Sequence, residues 1–228
     1  MISKKPYQYI KGWVEFYKLK FKVTPDVLIP RPETELLVDA VLNYCNLHPK
    51  TCNLILDIGT GAGNIAISVV KNAPTVKIIA IDISQKALKV AKQNAKLHGV
   101  EDRIKFIQSN LLENVSDFPD VIVTNLPYIP SARIPYLDSS VKDFEPHVAL
   151  DGGDDGFNLY RKLFEQISKK GWKLKLMVAE IDYTHGELAI QEAQKYFPGA
   201  EVEVRTDLAK KQRILLLHNT AICNKNLR

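Results

Sequence analysis

Along the chain, short apolar runs alternate with stretches in which apolar positions recur every three or four residues. The runs fall at residues 54–58, 76–81, 104–108, 121–124, 174–181, 201–206 and 213–217. They are rich in Val, Ile and Leu, and Gly, Pro, Asn or Asp borders most of them, which is the pattern of strands. Helical spacing fills the gaps at residues 64–71, 85–98, 157–169 and 186–196. Ser84 stands where an N-cap oxygen belongs, and Gly99 where a left-handed C′ residue belongs. Strands that are apolar without alternation are buried on both faces, and strands alternating with helices predict a parallel sheet covered on both sides. Residues 206–212 are too few for a crossover helix, so the last two strands are predicted to be antiparallel.

The N-terminal part differs. Residues 7–28 read as extended, and Val14, Phe16, Leu19, Phe21 and Val23 suggest two short strands turning between Tyr17 and Lys20. Next comes Ile29-Pro30-Arg31-Pro32-Glu33-Thr34-Glu35, in which Pro32 suits a first helical turn and the carboxylates suit a helix N-terminus. Leu36, Leu37, Ala40, Val41 and Tyr44 then continue at helical spacing. The predicted organisation is a hairpin appendage over residues 1–30 and one α/β domain over residues 31–228.

Composition changes this picture little. The 228 residues are 46% hydrophobic and 25% charged, ordinary for a globular protein able to bury a core without metals. The three cysteines, Cys45, Cys52 and Cys223, show no Cys-x-x-Cys spacing, which argues against a disulfide framework or structural zinc and favours a reducing, cytoplasmic setting. Lys4, Lys5 and Lys11 precede no apolar segment of signal-peptide kind, and no run approaches the ~20 residues of a membrane span, so no membrane partner is expected. A net charge of +5 is only mildly basic. Lys4, Lys5, Lys11, Lys18, Lys20 and Lys22 read as a phosphate-binding stripe or as a solvated face. The five histidines, His48, His98, His147, His185 and His218, have no metal-ligand spacing, and no metal is expected.

Two loops carry candidate chemistry. The first strand of the domain runs into Gly59-Thr60-Gly61-Ala62-Gly63, a tight turn whose glycines let the backbone approach a ligand, at a helix start that favours a carboxylate or phosphate. The next strand ends at Asp82, about twenty residues on, where a carboxylate can accept from both hydroxyls of a ribose. Loop and Asp together mark a nucleoside cofactor without separating a dinucleotide from S-adenosylmethionine. At the third strand's end, Asn110 can hydrogen-bond an adenine and Leu111 can pack on it, though Ser109-Asn110-Leu111 is equally an ordinary turn. The fourth strand leads into Asn125-Leu126-Pro127-Tyr128. Ligands of open parallel sheets sit outside the carboxyl ends of the strands, so this loop belongs beside the glycine loop. The Asn125 side-chain carbonyl and the Leu126 backbone carbonyl can take both hydrogens of a planar –NH2 group, and the Tyr128 ring can pack on its flat face. The same tetrapeptide also makes a simple β-turn.

These motifs resemble the HemK/PrmC family, which methylates the glutamine side-chain amide of peptide-chain release factors. The resemblance covers roughly residues 7–217. It rests on the run from Phe21 to Glu35, on Asp57-Ile58-Gly59-Thr60-Gly61-Ala62-Gly63, on Glu145-Pro146-His147-Val148-Ala149-Leu150-Asp151-Gly152-Gly153 with Asp155-Gly156, and on Glu180-Ile181, His185-Gly186 and Asp207-Leu208-Ala209. It implies a Rossmann-like, seven-stranded class I S-adenosylmethionine-dependent methyltransferase sheet behind the N-terminal hairpin. It implies cofactor contacts at Gly59, Thr60, Gly61, Gly63, Asp82 and Asn125, to which the loop reading adds Ala62, Asn110 and Leu111. Asn125, Pro127 and Tyr128 become the catalytic set, and Asn125, Leu126, Pro127 and Tyr128 the glutamine-binding loop, with Pro30 to Glu33 as a wall. The implied product is N5-methylglutamine, and the implied partner is a release factor, met by a cytoplasmic monomer with no stable nucleic-acid partner.

The chain departs from the family pattern at Leu126, where a Pro is usual; the loop then also resembles that of ribosomal RNA adenine dimethyltransferases. It departs again at Lys210-Lys211-Gln212-Arg213, where Gly-Arg-Asp-Arg is usual, and only Met1 to Pro6 stand where a helical N-terminal domain is expected. The alternative reading is an adenine N6-methyltransferase acting on RNA or DNA, since an exocyclic amine offers the same two hydrogens and its base must be extruded or single-stranded. A non-catalytic cofactor-binding module is a third. Glu145 reads equally as a substrate contact or a local cap, and Trp13 and Trp172 as packing residues.

Overall fold

The computed structural model describes residues 5–219, so Lys4 and Cys223 lie outside the described residues. The first element of the described residues is a helical turn, α1 (Tyr7–Lys11), closed by Gly12 in the left-handed conformation. This corrects the extended reading of residues 7–28: Tyr9 is buried and its hydroxyl donates to the Val27 carbonyl at 2.6 Å, which favours a compact turn over a strand. The hairpin follows as β1 (Trp13–Phe16) and β2 (Leu19–Lys22), turning at Tyr17 and Lys18. Its inward faces, Phe16 and Phe21, lie in one apolar cluster with Leu37, Val41 and Ile67.

A short 3-10 turn over Pro32–Thr34 leads into α2 (Glu35–Leu47). The buried stripe of α2 is Leu37, Val38, Val41, Leu42 and Cys45, while Leu36 and Ala40 sit half-exposed at its edge. Then come β3 (Leu54–Ile58), α3 (Asn64–Asn72), β4 (Lys77–Asp82), α4 (Gln85–Leu97), β5 (Ile104–Gln108) and β6 (Val121–Thr124). A loop region holds β7 (Ile129–Pro130), α5 (Ser139–Lys142) and β8 (Asp151–Gly153). The chain returns to the sheet through α6 (Asn158–Lys169), β9 (Leu176–Glu180), α7 (Gly186–Tyr196), β10 (Ala200–Thr206) and β11 (Gln212–Asn219). Ser84 caps α4, its Oγ accepting from the Ala87 N–H at 3.2 Å, and Gly99 closes that helix with φ +63°.

The main sheet has seven strands in the order β10-β11-β9-β6-β3-β4-β5. β5, β4, β3, β6 and β9 are mutually parallel, and β11 is antiparallel to both β9 and β10, the ending predicted from the short connection. Successive side chains of the central strands enter opposite cores. Ile55, Val121, Val123 and Val178 meet α2 and α3, whereas Leu56, Ile122, Met177 and Leu215 meet α6 and α7. The absence of polar alternation in these strands thus has its cause in burial on both sides.

The cysteine reading is corrected. Cys45, near the end of α2, is disulfide-bonded to Cys52, seven residues later, with Cα atoms 5.2 Å apart. The helix ends at Leu47, and the Thr51 and Cys52 N–H groups both donate to the His48 carbonyl, so the chain doubles back and brings the pair together. Spacing motifs do not register a pair made by a tight turn.

Candidate active site

The chain crosses from one half of the sheet to the other between β3 and β6, which pair side by side. Their carboxyl ends open together on a cavity of about 1060 Å³, mouth included. Gly59, Thr60, Gly61 and Ala62 line it after β3, Asp82 after β4, Ser109, Asn110 and Leu111 after β5, and Asn125, Leu126 and Pro127 after β6. Pro30, Arg31 and Thr34 add a wall from the segment before α2. Of the residues singled out from sequence, Pro32, Glu33, Gly63, Tyr128 and Glu145 are not on the cavity surface. Gly63 is where the chain enters α3 against α4: a Cβ there would lie 3.1 Å from Ile67 Cδ1 and 3.2 Å from Ala91 Cβ, and its φ is +80°. Its requirement is therefore helix packing rather than ligand contact.

The glycine loop is held by carboxylates. One oxygen of Asp82 accepts the Gly61 N–H at 2.9 Å and the other accepts the Ser84 N–H at 2.8 Å. Each oxygen keeps a lone pair, so the same group can still accept from a pair of hydroxyls. Burial raises its pKa, while the N–H groups of Ser84 and Gly61 oppose that rise. Asp57 is fully buried beneath the loop and accepts the Thr60 hydroxyl at 2.6 Å. Burial pushes its carboxyl up to about 7, against the pull of the Thr60 hydroxyl and the Ala66 N–H. Asn94, also fully buried, donates to the Ala62 carbonyl at 2.9 Å and exchanges bonds with both Lys22 backbone groups, so α4 ties the hairpin to the loop.

At the end of β5, Asn110 is exposed and donates to Glu113 Oε1 at 2.7 Å. Leu111 is buried with φ +49°, a left-handed conformation that costs an L-residue on the order of 1 kcal/mol and turns the chain along the cavity.

The loop after β6 is fixed from behind. Asn125 Nδ2 donates to Thr34 Oγ1 at 3.2 Å. The Leu126 side chain is buried, and its N–H donates to the Tyr160 hydroxyl at 3.3 Å. That hydroxyl has one hydrogen, given to the Glu180 carbonyl, its nearest partner. Tyr128 does not present its hydroxyl to the cavity; it donates to Glu180 Oε1 at 3.0 Å, and burial beside that carboxylate raises its pKa far above the usual phenol value. Gly152 and Gly156 pack on the same loop: a Cβ on Gly152 would stand 2.8 Å from the Pro127 carbonyl oxygen, and one on Gly156 2.2 Å from that of Tyr128.

Glu145 is resolved as a structural residue. It is buried, accepts the Ile29 N–H at 3.1 Å and pairs with Arg31, so it pins the proline-rich wall rather than lining the cavity. The residues that sequence reasoning gave no role at the site are Thr34, Tyr160 and Glu180; Asp57 entered only as the start of the glycine-loop motif. Thr34 and Glu180 are bonded across 146 positions of sequence. Trp13 carries Lys11 and Lys20 over its ring, at 3.1 and 4.2 Å from the centroid. Among the described residues no group of three or more His, Cys, Asp or Glu is arranged to hold a metal ion, and no helix is long and apolar enough to cross a membrane.

Comparison with known proteins gives a consistent set. The methyltransferase small domain family matches residues 33–134. A release factor glutamine methyltransferase of Thermodesulfovibrio yellowstonii is 37% identical over 219 residues, covering 96% of this chain and 78% of that protein. One of Clostridium acetobutylicum is 38% identical, covering 94% and 75% respectively. Among solved structures, a ribosomal protein L11 methylase from Lactobacillus delbrueckii superposes with a TM-score of 0.61 at 17% identity, over 86% of this chain and 84% of that one. The N-terminal domain of human METTL16 in complex with SAH also gives 0.61, at 16% identity, over 89% and 76%. At such identities the likeness is one of fold.

Proposed function

The chain belongs to the release factor glutamine methyltransferases, and on that premise we propose that it transfers a methyl group from S-adenosylmethionine to the side-chain amide nitrogen of a glutamine in a peptide-chain release factor. The observation that carries this reading is the meeting of three strand ends on one cavity: the glycine loop, Asp82 and the Asn125-Leu126-Pro127 loop. Gly59, Thr60, Gly61, Ala62 and Asp82 are the residues that would hold the cofactor, with Asn110 and Leu111 beside the base. When bound, S-adenosylmethionine supplies an electrophilic methyl group on a sulfonium.

The residues of this chain then act by positioning. The Asn125 Oδ1 and the Leu126 carbonyl accept the two hydrogens of the glutamine amide and set its nitrogen toward the methyl group. Those acceptors strengthen as the nitrogen gains positive charge in the transition state, so no strong base is needed. A carbon–nitrogen bond would form as the methyl–sulfur bond breaks, the bonding pair staying on sulfur as a neutral thioether, and the nitrogen would shed one proton to solvent, leaving N5-methylglutamine. Pro127 brings no N–H of its own and stiffens the loop. Tyr128 anchors the loop through Glu180 instead of reaching for substrate. A translation factor as substrate supports a cytoplasmic enzyme.

The experiment is methyl transfer from labelled S-adenosylmethionine to a purified release factor, with mass spectrometry to place the label. One methyl group on a glutamine is the expected result. Asn125→Ala should lower kcat by about 10²–10³-fold, the usual effect of removing one such acceptor or donor. Label on RNA or DNA adenine with an unmodified factor would overturn the proposal.

A further inference from the structure

Asn125 has a two-fold problem that its position alone does not solve. Its amide presents an oxygen at one edge and an –NH2 at the other, nearly identical in shape and opposite in hydrogen-bonding sense. Only the oxygen can accept a hydrogen from the substrate amide. With the amide turned over, donors would face donors and the glutamine would be repelled.

We propose that Glu180 and Thr34 are positioning residues that set the sense of the Asn125 amide and so leave its Oδ1 for the substrate. This rests on the role given to Asn125 above. Glu180, at the end of β9, is 1% exposed and receives two hydroxyls: Thr34 Oγ1 lies 2.7 Å from one carboxylate oxygen and Tyr128 Oη 3.0 Å from the other. Burial raises the Glu180 pKa, opposed by the Thr34 and Tyr128 hydroxyls and the Arg213 charge, and in its ionised form the carboxylate has no hydrogen to give, so both hydroxyls donate to it. The single hydrogen of Thr34 is thereby committed, and its Oγ1 can only accept from its remaining neighbour. That neighbour is the Asn125 amide at 3.2 Å, which must offer Nδ2. Turned over, the amide would set Oδ1 against Oγ1, two lone pairs in a buried place with no hydrogen between them. Thr34 is itself 2% exposed and is held by the turn after Arg31, whose carbonyl accepts the Thr34 N–H at 3.1 Å. The relay therefore has little freedom. Through Tyr128 the same carboxylate also fixes the far end of the loop, so one buried charge orients both the side chain and the backbone that meet the substrate.

The test compares Thr34→Val, which keeps the shape and removes the hydroxyl, with Thr34→Ser, which restores it. For Thr34→Val the expected result is a fall in kcat of roughly ten- to a hundredfold, as for a mispositioned reacting group. S-adenosylmethionine affinity by calorimetry should stay near wild type, the melting temperature should fall by several degrees because the buried Glu180 loses a donor, and Thr34→Ser should recover most of both the rate and the stability. A folded Thr34→Val enzyme with undiminished kcat overturns the relay, and so does Thr34→Ser as slow as Thr34→Val. Neutron diffraction of the deuterium-exchanged wild-type protein reads the relay without any variant or substrate. The expected map has deuterium between Thr34 Oγ1 and Glu180 and the Asn125 –ND2 facing Thr34; the reverse orientation refutes it. Wild-type protein that methylates no release factor would remove the functional reading alone, and the neutron map would still decide the relay.

Discussion

Asp57 shows how a residue can be visible in sequence while its state is not. Its place before the glycine loop is read from local order, but its environment comes from the fold, which encloses it completely. Because its carboxyl is pushed up from 3.8 to about 7, the folded protein keeps a proton that the unfolded chain releases. The stability this proton confers is fully present below about pH 4 and is lost as pH rises through about 7. Asp57→Asn is neutral throughout and can still accept the Thr60 hydroxyl. We expect the variant to melt about 8–16 °C above wild type at pH 8, with the gap closing toward pH 4, a size set by roughly 4 kcal/mol of linkage. A gap independent of pH, measured by thermal unfolding across that range, would show that the Asp57 proton is not coupled to folding. Asn125 and Asp82 were legible for the same reason as Asp57: each lies at or beside the carboxyl end of a predicted strand. Thr34, Tyr160 and Glu180 were not, because their meaning lies in bonds that join distant segments, Thr34 to Glu180 and Tyr160 to Leu126.

At the scale of elements, strands buried on both faces announced themselves by unbroken apolar runs, and the antiparallel ending followed from a connection too short to cross over. What escaped were elements made by only a few residues. Helix α1 rests on one buried tyrosine, and the β7–β8 ladder pairs Ile129 with Asp151 and Pro130 with Gly153. Periodicity needs length, and two or three residues carry none. That small ladder nevertheless sets the loop from Asn125 to Tyr128, since it brings the glycine segment 152–156 onto the carbonyls of Pro127 and Tyr128. Gly156 combines a φ of +80° with a backbone contact that leaves no room for a methyl group. Gly156→Ala must therefore displace the loop, and we expect activity to fall about a hundredfold. Gly99→Ala is the control: its φ is +63°, and a Cβ there meets nothing within 4 Å. It should cost about 1 kcal/mol of stability and leave kcat unchanged. Equal loss of activity in the two variants would mean that backbone strain in general, and not contact with the loop, explains the effect.

For the whole molecule, the order of strands decides where chemistry can occur. The chain builds β3, β4 and β5 outward in one direction, then returns beside β3 to place β6. Only at that reversal do neighbouring strand ends diverge enough to leave a crevice, and the glycine loop and the asparagine loop are the two segments that flank it. A ligand there touches residues from β3, β4, β5 and β6 together, so its binding energy bears on the folding of the entire sheet. A ligand present at a hundredfold its Kd adds about 2.7 kcal/mol to the stability of the folded state. For a chain of this size that is a rise in melting temperature of about 5–10 °C. We expect S-adenosylmethionine at such a concentration to give this shift in a single cooperative transition. Asp82→Ala, assayed at the same concentration, should lose most of the shift, because it removes the proposed ribose acceptor and also frees the Gly61 N–H that shapes the loop. A shift undiminished by that change would place the nucleoside elsewhere in the crevice. A transition split into two would mean that the parallel strands and the antiparallel pair unfold separately, so that occupancy at the reversal stabilises only the half of the sheet that touches the ligand.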